Sequence, residues 1–273
     1  MRQRELVGEL MDDPGLPEDQ LSHALRGLAR LNSLSLATGT TMLPLCTLAD
    51  ELGVSDQRPL RVLDVACADG GFVCAASHVS TAHPRPIAFA GCDINAHAIR
   101  HAQAAAMKAR AKPPQRDAKR PFLPPTFFVH DMIHSAPAGE YDVVMCSLFL
   151  HHLSNDHAVR VLRHMSSAAK HMLIVNDLVR SRANLFAVWL ASRALTRSPI
   201  VHIDATRSVR AAFTRAELRE LFQQAGLRPT IRWGGFSRAL ALARTDDKAP
   251  SIRRARGSAG ATASSTTATD GLP

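Results

Sequence analysis

Aromatic residues make up only 5% of this 273-residue chain, and Tyr141 is its single tyrosine. Proteins that stack bases on their surface need aromatic platforms. A binder of that type is therefore excluded, and no specific nucleic-acid partner is expected. The five cysteines, Cys46, Cys67, Cys74, Cys92 and Cys146, include no C-x-x-C pair, and their number is odd. Most lie in or beside apolar stretches and read as small buried hydrophobes in a reducing compartment, neither a disulfide frame nor a zinc site. No apolar run has the length of a bilayer span. The first residues mix Arg, Glu and Asp with few apolar side chains, unlike a signal peptide. A cytoplasmic protein without a transmembrane segment is the expectation.

What is present is a hydrophobic fraction of 46%, enough for a sizeable core, and a formal charge of +9. Much of the excess sits in two places. One holds Lys108, Arg110, Lys112, Arg116, Lys119 and Arg120 around Pro113 and Pro114; the other holds Arg244, Lys248, Arg253, Arg254 and Arg256. Both read as solvated basic segments with at most a weak pull on anionic partners.

Hydrophobic spacing predicts helices over 17–31, from Leu21, Leu25, Leu28 and Leu31, and over 43–52, from Leu43, Leu45, Leu48 and Leu52. Short apolar runs then alternate with helical patterns. Runs at 60–66, 87–92, 126–129, 141–148 and 171–175 lack polar alternation, which suits parallel strands covered on both faces. Gly234 and Gly235 join two further runs as a hairpin, and Thr214 with Glu217 forms a capping box. The expected fold class is α/β: a Rossmann-like, doubly wound, mostly parallel seven-stranded sheet with a C-terminal antiparallel hairpin and N-terminal helices. The expected division is an N-terminal helical cap over 1–55, a main domain over 56–245 and a disordered tail over 246–273.

The chemistry concentrates where strands end. Val62-Leu63-Asp64-Val65-Ala66-Cys67-Ala68-Asp69-Gly70-Gly71 is an apolar strand closing on an acid and a turn of very small residues, with a helix after it. Small residues let backbone approach a ligand, and a helix start offers free N–H groups. The next strand ends at Asp93, whose carboxylate can accept both hydroxyls of a ribose. The third ends at Asp131, and the fourth opens into Ser147-Leu148-Phe149-Leu150-His151-His152. Ligands of open α/β sheets bind at this carboxyl edge.

The segment 62–71 resembles the first motif of the class I S-adenosylmethionine (SAM)-dependent methyltransferases, Asp-x-Gly-x-Gly-x-Gly. Asp93 matches that family's ribose acid, and His130-Asp131 its adenine-contacting position. The stretch 147–153 is similar to the ubiquinone/menaquinone-biosynthesis-like branch. Asn176 to Ser181, Ser208-Val209-Arg210 and Phe213-Thr214 resemble methyltransferases of bacterial polyketide and other secondary-metabolite pathways. The likeness covers about residues 20–245. It implies a SAM cradle of Asp64, Ala66, Cys67, Ala68, Gly70, Asp93, Ile94, Asp131, Met132 and Ser147. It further implies methyl transfer to a small phenolic, quinone or polyketide-type acceptor, on oxygen or carbon.

Ala66 and Ala68 replace two of the family's glycines, and alanine disfavours positive φ. Should they keep φ negative, the turn survives with less room; otherwise cofactor affinity falls. His151 or His152 is the candidate base, since histidine titrates near neutral pH. Asp177, Arg180 and Trp189 are candidates for orienting the acceptor. No metal is expected, because no third ligand stands near the two histidines. The state is expected to be monomer or homodimer. Three rival readings remain at this point: a nicotinamide-dependent oxidoreductase, whose G-x-G-x-x-G is missing; a non-catalytic SAM-fold protein; and an RNA methyltransferase.

Overall fold

The computed structural model describes residues 1–247 apart from 2, 14, 34–36 and 112–116. Nearly all of the tail expected to be disordered, and part of the basic loop after residue 111, lie outside the described residues.

Seven strands form one sheet: β1 (Leu60–Val65), β2 (Ile87–Asp93), β3 (Thr126–Val129), β4 (Tyr141–Ser147), β5 (Ala169–Leu178), β6 (Thr230–Trp233) and β7 (Arg238–Arg244). Their order is β3-β2-β1-β4-β5-β7-β6. The first five run parallel, and β7 pairs antiparallel with both β5 and β6. The apolar, unalternating strands therefore form the doubly wound sheet with the hairpin that their sequences predict.

Pleating sorts the side chains onto two faces. Leu63, Val65, Val144, Cys146, Leu173 and Val175 share one cluster with α5 (Asn155–Ala168) and α8 (Arg215–Gln224). Leu60, Val62, Val143, Met145 and Ile174 share the other with α2 (Ala37–Glu51), α3 (Gly71–Val79) and α4 (Ala96–Arg110). A third cluster binds α1 (Glu18–Ser33), α6 (Arg182–Leu195) and α7 (Pro199–Ala211) to one another.

In α2 the expected stripe holds only in part, since Leu45 and Leu48 are buried while Leu43 and Leu52 are exposed, and two further helices depart from the expectation. In α1 the buried face runs through Ala24, Gly27 and Leu31, while Leu25 is half exposed. The reason is close approach: a Cβ on Gly27 would stand 2.4 Å from Thr196 Oγ1, so small residues set the contact with the α6–α7 connection. The other helix, α7, has no counterpart in the hydrophobic reading above. It starts on Ser198, whose side chain caps Val201 N, and on Pro199 at its first position.

At the hairpin, a Cβ on Gly234 would lie 2.6 Å from the Ala239 carbonyl carbon, which is backbone and cannot yield. Gly234→Ala is expected to destabilise the protein by about 2–3 kcal/mol in urea denaturation.

Candidate active site

The turn after β1 is pinned to the end of β2. Cys67 N–H donates to the Cys92 carbonyl at 3.0 Å, and Ala68 N–H donates to Asp93 Oδ2 at 3.0 Å. Asp93 Oδ1 accepts from Asn95 N–H at 2.8 Å, setting the start of α4. Inside this frame Ala66 (φ 56°), Ala68 (φ 48°) and Gly70 (φ 72°) are all left-handed. The alanines thus hold the conformation that suits glycine, at a cost of roughly 1–2 kcal/mol each. The glycine that remains could not be replaced as they have been, because a Cβ on Gly70 would meet Phe127 Cζ at 2.6 Å.

Asp64 and Asp93 lie on the same pleat face of neighbouring strands. Asp64 is buried, and its Oδ1 has no hydrogen-bond partner. Burial pushes its carboxyl up to about 8, and the Asp93 charge adds to the rise. A buried carboxyl oxygen without a donor, beside a turn of small residues, suits a ligand that brings positive charge or an N–H. That fits SAM, which carries both an ammonium and a sulfonium. Nearby, Asn176 Nδ2 donates to Thr41 Oγ1 and to the Gly234 carbonyl, both at 3.2 Å, while its Oδ1 is unsatisfied. Arg238 is buried and donates to Ser147 Oγ at 3.2 Å. Burial lowers its guanidinium to about 10, against the pull of Asp177.

On the other pleat face, Asp177 Oδ1 accepts from His151 Nδ1 at 2.6 Å, and its Oδ2 accepts from His151 N–H at 3.2 Å. Burial alone would raise the Asp177 carboxyl, but the charge and hydrogen bond of His151 hold it below the usual carboxylate range. With Nδ1 donating to Asp177, Nε2 is the ring nitrogen that carries the lone pair in the neutral form of His151. The His152 ring stacks obliquely, 4.2 Å away, and is 38% exposed on its side chain. Burial and the neighbouring His151 lower it to about 4, so it is neutral at pH 7.

A family model described as a methyltransferase domain matches residues 43–230. The chain belongs to that family. It is a SAM-dependent methyltransferase of class I, which removes the nicotinamide reading. Among solved structures it is similar to the plantazolicin methyltransferase BamL, at 15% identity over 84% of this chain and 90% of that one, with a TM-score of 0.58. The plantazolicin methyltransferase BpumL gives 16% identity, 85% and 91% coverage and a TM-score of 0.56. Magnesium protoporphyrin IX methyltransferase from Synechocystis gives 18%, 86%, 90% and 0.50. Identities this low speak to the fold. A comparison with curated proteins gave no match. Among the described residues no helix is long and apolar enough to cross a membrane.

Other residues singled out in the sequence fall in varied places. Ile94 is 64% exposed next to Asp93. Both Asp131 oxygens are taken up in a turn, by Ile133 N–H and by His134 Nδ1. The Met132 side chain joins the core instead of facing the cleft. Arg180 is buried and turned inward, donating to the Ala212 carbonyl at 3.0 Å and to Glu217 Oε1 at 2.6 Å, so it ties β5 to the cap of α8. Trp189 lines a separate cleft of about 570 Å³ with Phe186, Arg182 and Arg210.

The largest omission from the sequence reading is the N-terminal segment. Leu10 and Met11 N–H donate to the buried Asp204 carboxylate of α7, and Arg207 donates to the Gly8 carbonyl. Arg4 lies over the Phe213 ring and donates to the His151, Leu153 and Ala211 carbonyls. Glu9 thereby reaches the histidines: its Oε1 stands 3.9 Å from His151 Nε2 and 4.0 Å from His152 Nε2. No spacing rule connects position 9 with position 151.

Replacing both Ala66 and Ala68 by glycine should raise stability by about 1 kcal/mol per site in chemical denaturation, since the strain exceeds glycine's added unfolded-state entropy. Equal or lower stability would show that the strain does not exceed that entropy.

Proposed function

We propose that the protein methylates a small phenolic, quinone or polyketide-type molecule, on oxygen or on a carbon activated by an adjacent hydroxyl, with the His151–Asp177 pair as base. The observation that carries this is the 2.6 Å contact between them at the carboxyl edge of the sheet. Bound SAM supplies a methyl group already activated by its sulfonium.

Asp93 is suited to accept the ribose hydroxyls while it continues to brace the β1 turn. Asp64 faces the cofactor's positive charge, and exposed Ile94 offers apolar cover beside the ribose acid. The backbone of Ala66, Cys67, Ala68 and Gly70 borders the same space, with Ser147 and Asp131-Met132 at its margins. On the acceptor side, the two Nε2 atoms and Glu9 Oε1 face one another across the gap that we assign to the acceptor hydroxyl. His151 Nε2 takes its proton there, and Asp177 stabilises the resulting imidazolium. His152 contributes the exposed wall of the gap and orients the acceptor. The left-handed alanines favour one second reading, a protein that binds SAM too weakly to turn over; calorimetry with SAM separates it from the first.

A transfer screen with labelled SAM against phenolic, quinone and polyketide acceptors is expected to give turnover. On the acceptor so found, Asp177→Asn should lower kcat by about 10²–10⁴-fold with SAM affinity retained. Unchanged turnover would remove the base assignment. Asp93→Ala should weaken SAM binding by about tenfold or more in calorimetry.

The raised carboxyl of Asp64 sets a pH dependence. The empty protein holds Asp64 protonated below about 8, whereas a cationic ligand favours its charged form. Binding therefore releases a proton, and SAM affinity should rise between pH 6 and pH 7.5. In Asp64→Asn that rise should vanish. A wild-type affinity that stays flat over the range would rule out Asp64 as the partner of that charge.

A further inference from the structure

We propose that Glu9, His151 and His152 form a site for a first-row divalent cation of the Zn²⁺ class, and that its occupation holds the methyltransferase idle. The second half rests on the base role of His151 given above; the first half does not.

Two imidazole nitrogens and one carboxylate oxygen lie within 4.8 Å of one another. The Nε2–Oε1 separations of 3.9 and 4.0 Å are too long for direct hydrogen bonds. A cation with bonds of about 2.0–2.2 Å would hold its ligand atoms roughly 3–3.5 Å apart. Each Nε2–Oε1 pair needs to close by less than about 1 Å, and the two Nε2 atoms, which lie within 4.8 Å, by less than about 2 Å.

Support for two of the ligands is already built. Asp177 holds the far nitrogen of His151, the carboxylate–histidine arrangement that orients a metal-binding imidazole. The Ser208 hydroxyl donates to Glu9 Oε1 and fixes the carboxylate. Asp204 and Arg207 anchor the backbone on both sides of Glu9, so the third ligand arrives without ordering a loose segment.

Two nitrogens and one oxygen favour Zn²⁺, Co²⁺ or Fe²⁺ over Mg²⁺ and Ca²⁺, which prefer all-oxygen shells. A lone pair of His151 Nε2 that is bonded to a cation cannot accept the acceptor's proton. The cation and the acceptor hydroxyl therefore compete for the same gap.

The test titrates the full-length protein with Co²⁺, followed by visible absorption, and with Zn²⁺, followed by calorimetry. Wild type should bind both, and Zn²⁺ should displace Co²⁺. Glu9→Gln and His152→Ala, checked for folding by circular dichroism, should each weaken binding by at least about tenfold, and Asp177→Asn by about 10–100-fold. His97 and His101 on α4 approach each other at 3.0 Å and offer an exposed alternative; the double variant His97→Ala/His101→Ala should leave the signal intact. In wild type, ZnCl₂ should suppress methyl transfer with a midpoint that follows its Kd.

No binding, or binding unaffected by Glu9→Gln and His152→Ala, overturns the site and leaves the base role standing. Zn²⁺ held by these residues with transfer undiminished overturns the idling claim, and the base role of His151 with it.

Discussion

The constraint on which the site depends is the pleat of the central parallel strands. Successive side chains leave a strand on opposite faces. Asp64, on β1, shares its face with the packing against α2 and α3, and so does Asn176, on β5. Asp177, one residue further on, leaves on the opposite face and meets the turn that carries His151. One strand end therefore serves two compartments. A one-residue slip of β5 would exchange a buried amide for the carboxylate that holds the histidine.

The parallel arrangement explains why the polar groups gather there at all. All five parallel strands release their backbone at the same edge, and two of them, β2 and β5, bring a carboxylate there that hydrogen-bonds a neighbouring turn. Asp93 braces the loop after β1, and Asp177 braces the loop after β4. Each loop is thus shaped by a carboxylate from the neighbouring strand, independently of bound ligand. Such pre-formed frames suit a reaction in which alignment supplies much of the rate.

Most of the sheet was legible in the sequence because its signals are local. Apolar runs of strand length, the acids Asp93, Asp131 and Asp177 at or just after three of them, and a Gly-Gly hairpin need no knowledge of distant residues. The helix stripe of α1 was read a step out of place, since leucines dominate the periodicity while Ala24 and Gly27 make the close contact. The helix α7 was missed although Ser198-Pro199 is a start signal and Val201, Ala205 and Val209 recur at four-residue spacing. Glu9, Arg4 and Arg238 could not be found that way. Each acts on a partner far along the chain, and nothing in their neighbourhoods distinguishes them from surface charges. The inward turn of Arg180 has the same origin, because Glu217 and the Ala212 carbonyl lie beyond the reach of a motif.

The segment around Glu9 also bears on how the molecule comes into being. Residues 4–11 are held far along the chain, by His151 and Leu153 and above all by Asp204, Arg207, Ser208, Arg210 and Ala211. No local contact can substitute for these, and closure over such a separation comes late in folding. During synthesis the sheet's first strands can pair while the leading segment still waits for α7 to emerge. The gap between the two histidines and Glu9 therefore takes shape only with α7 in place, whereas the turn beside Asp93 is framed by Cys92 and Asp93 alone.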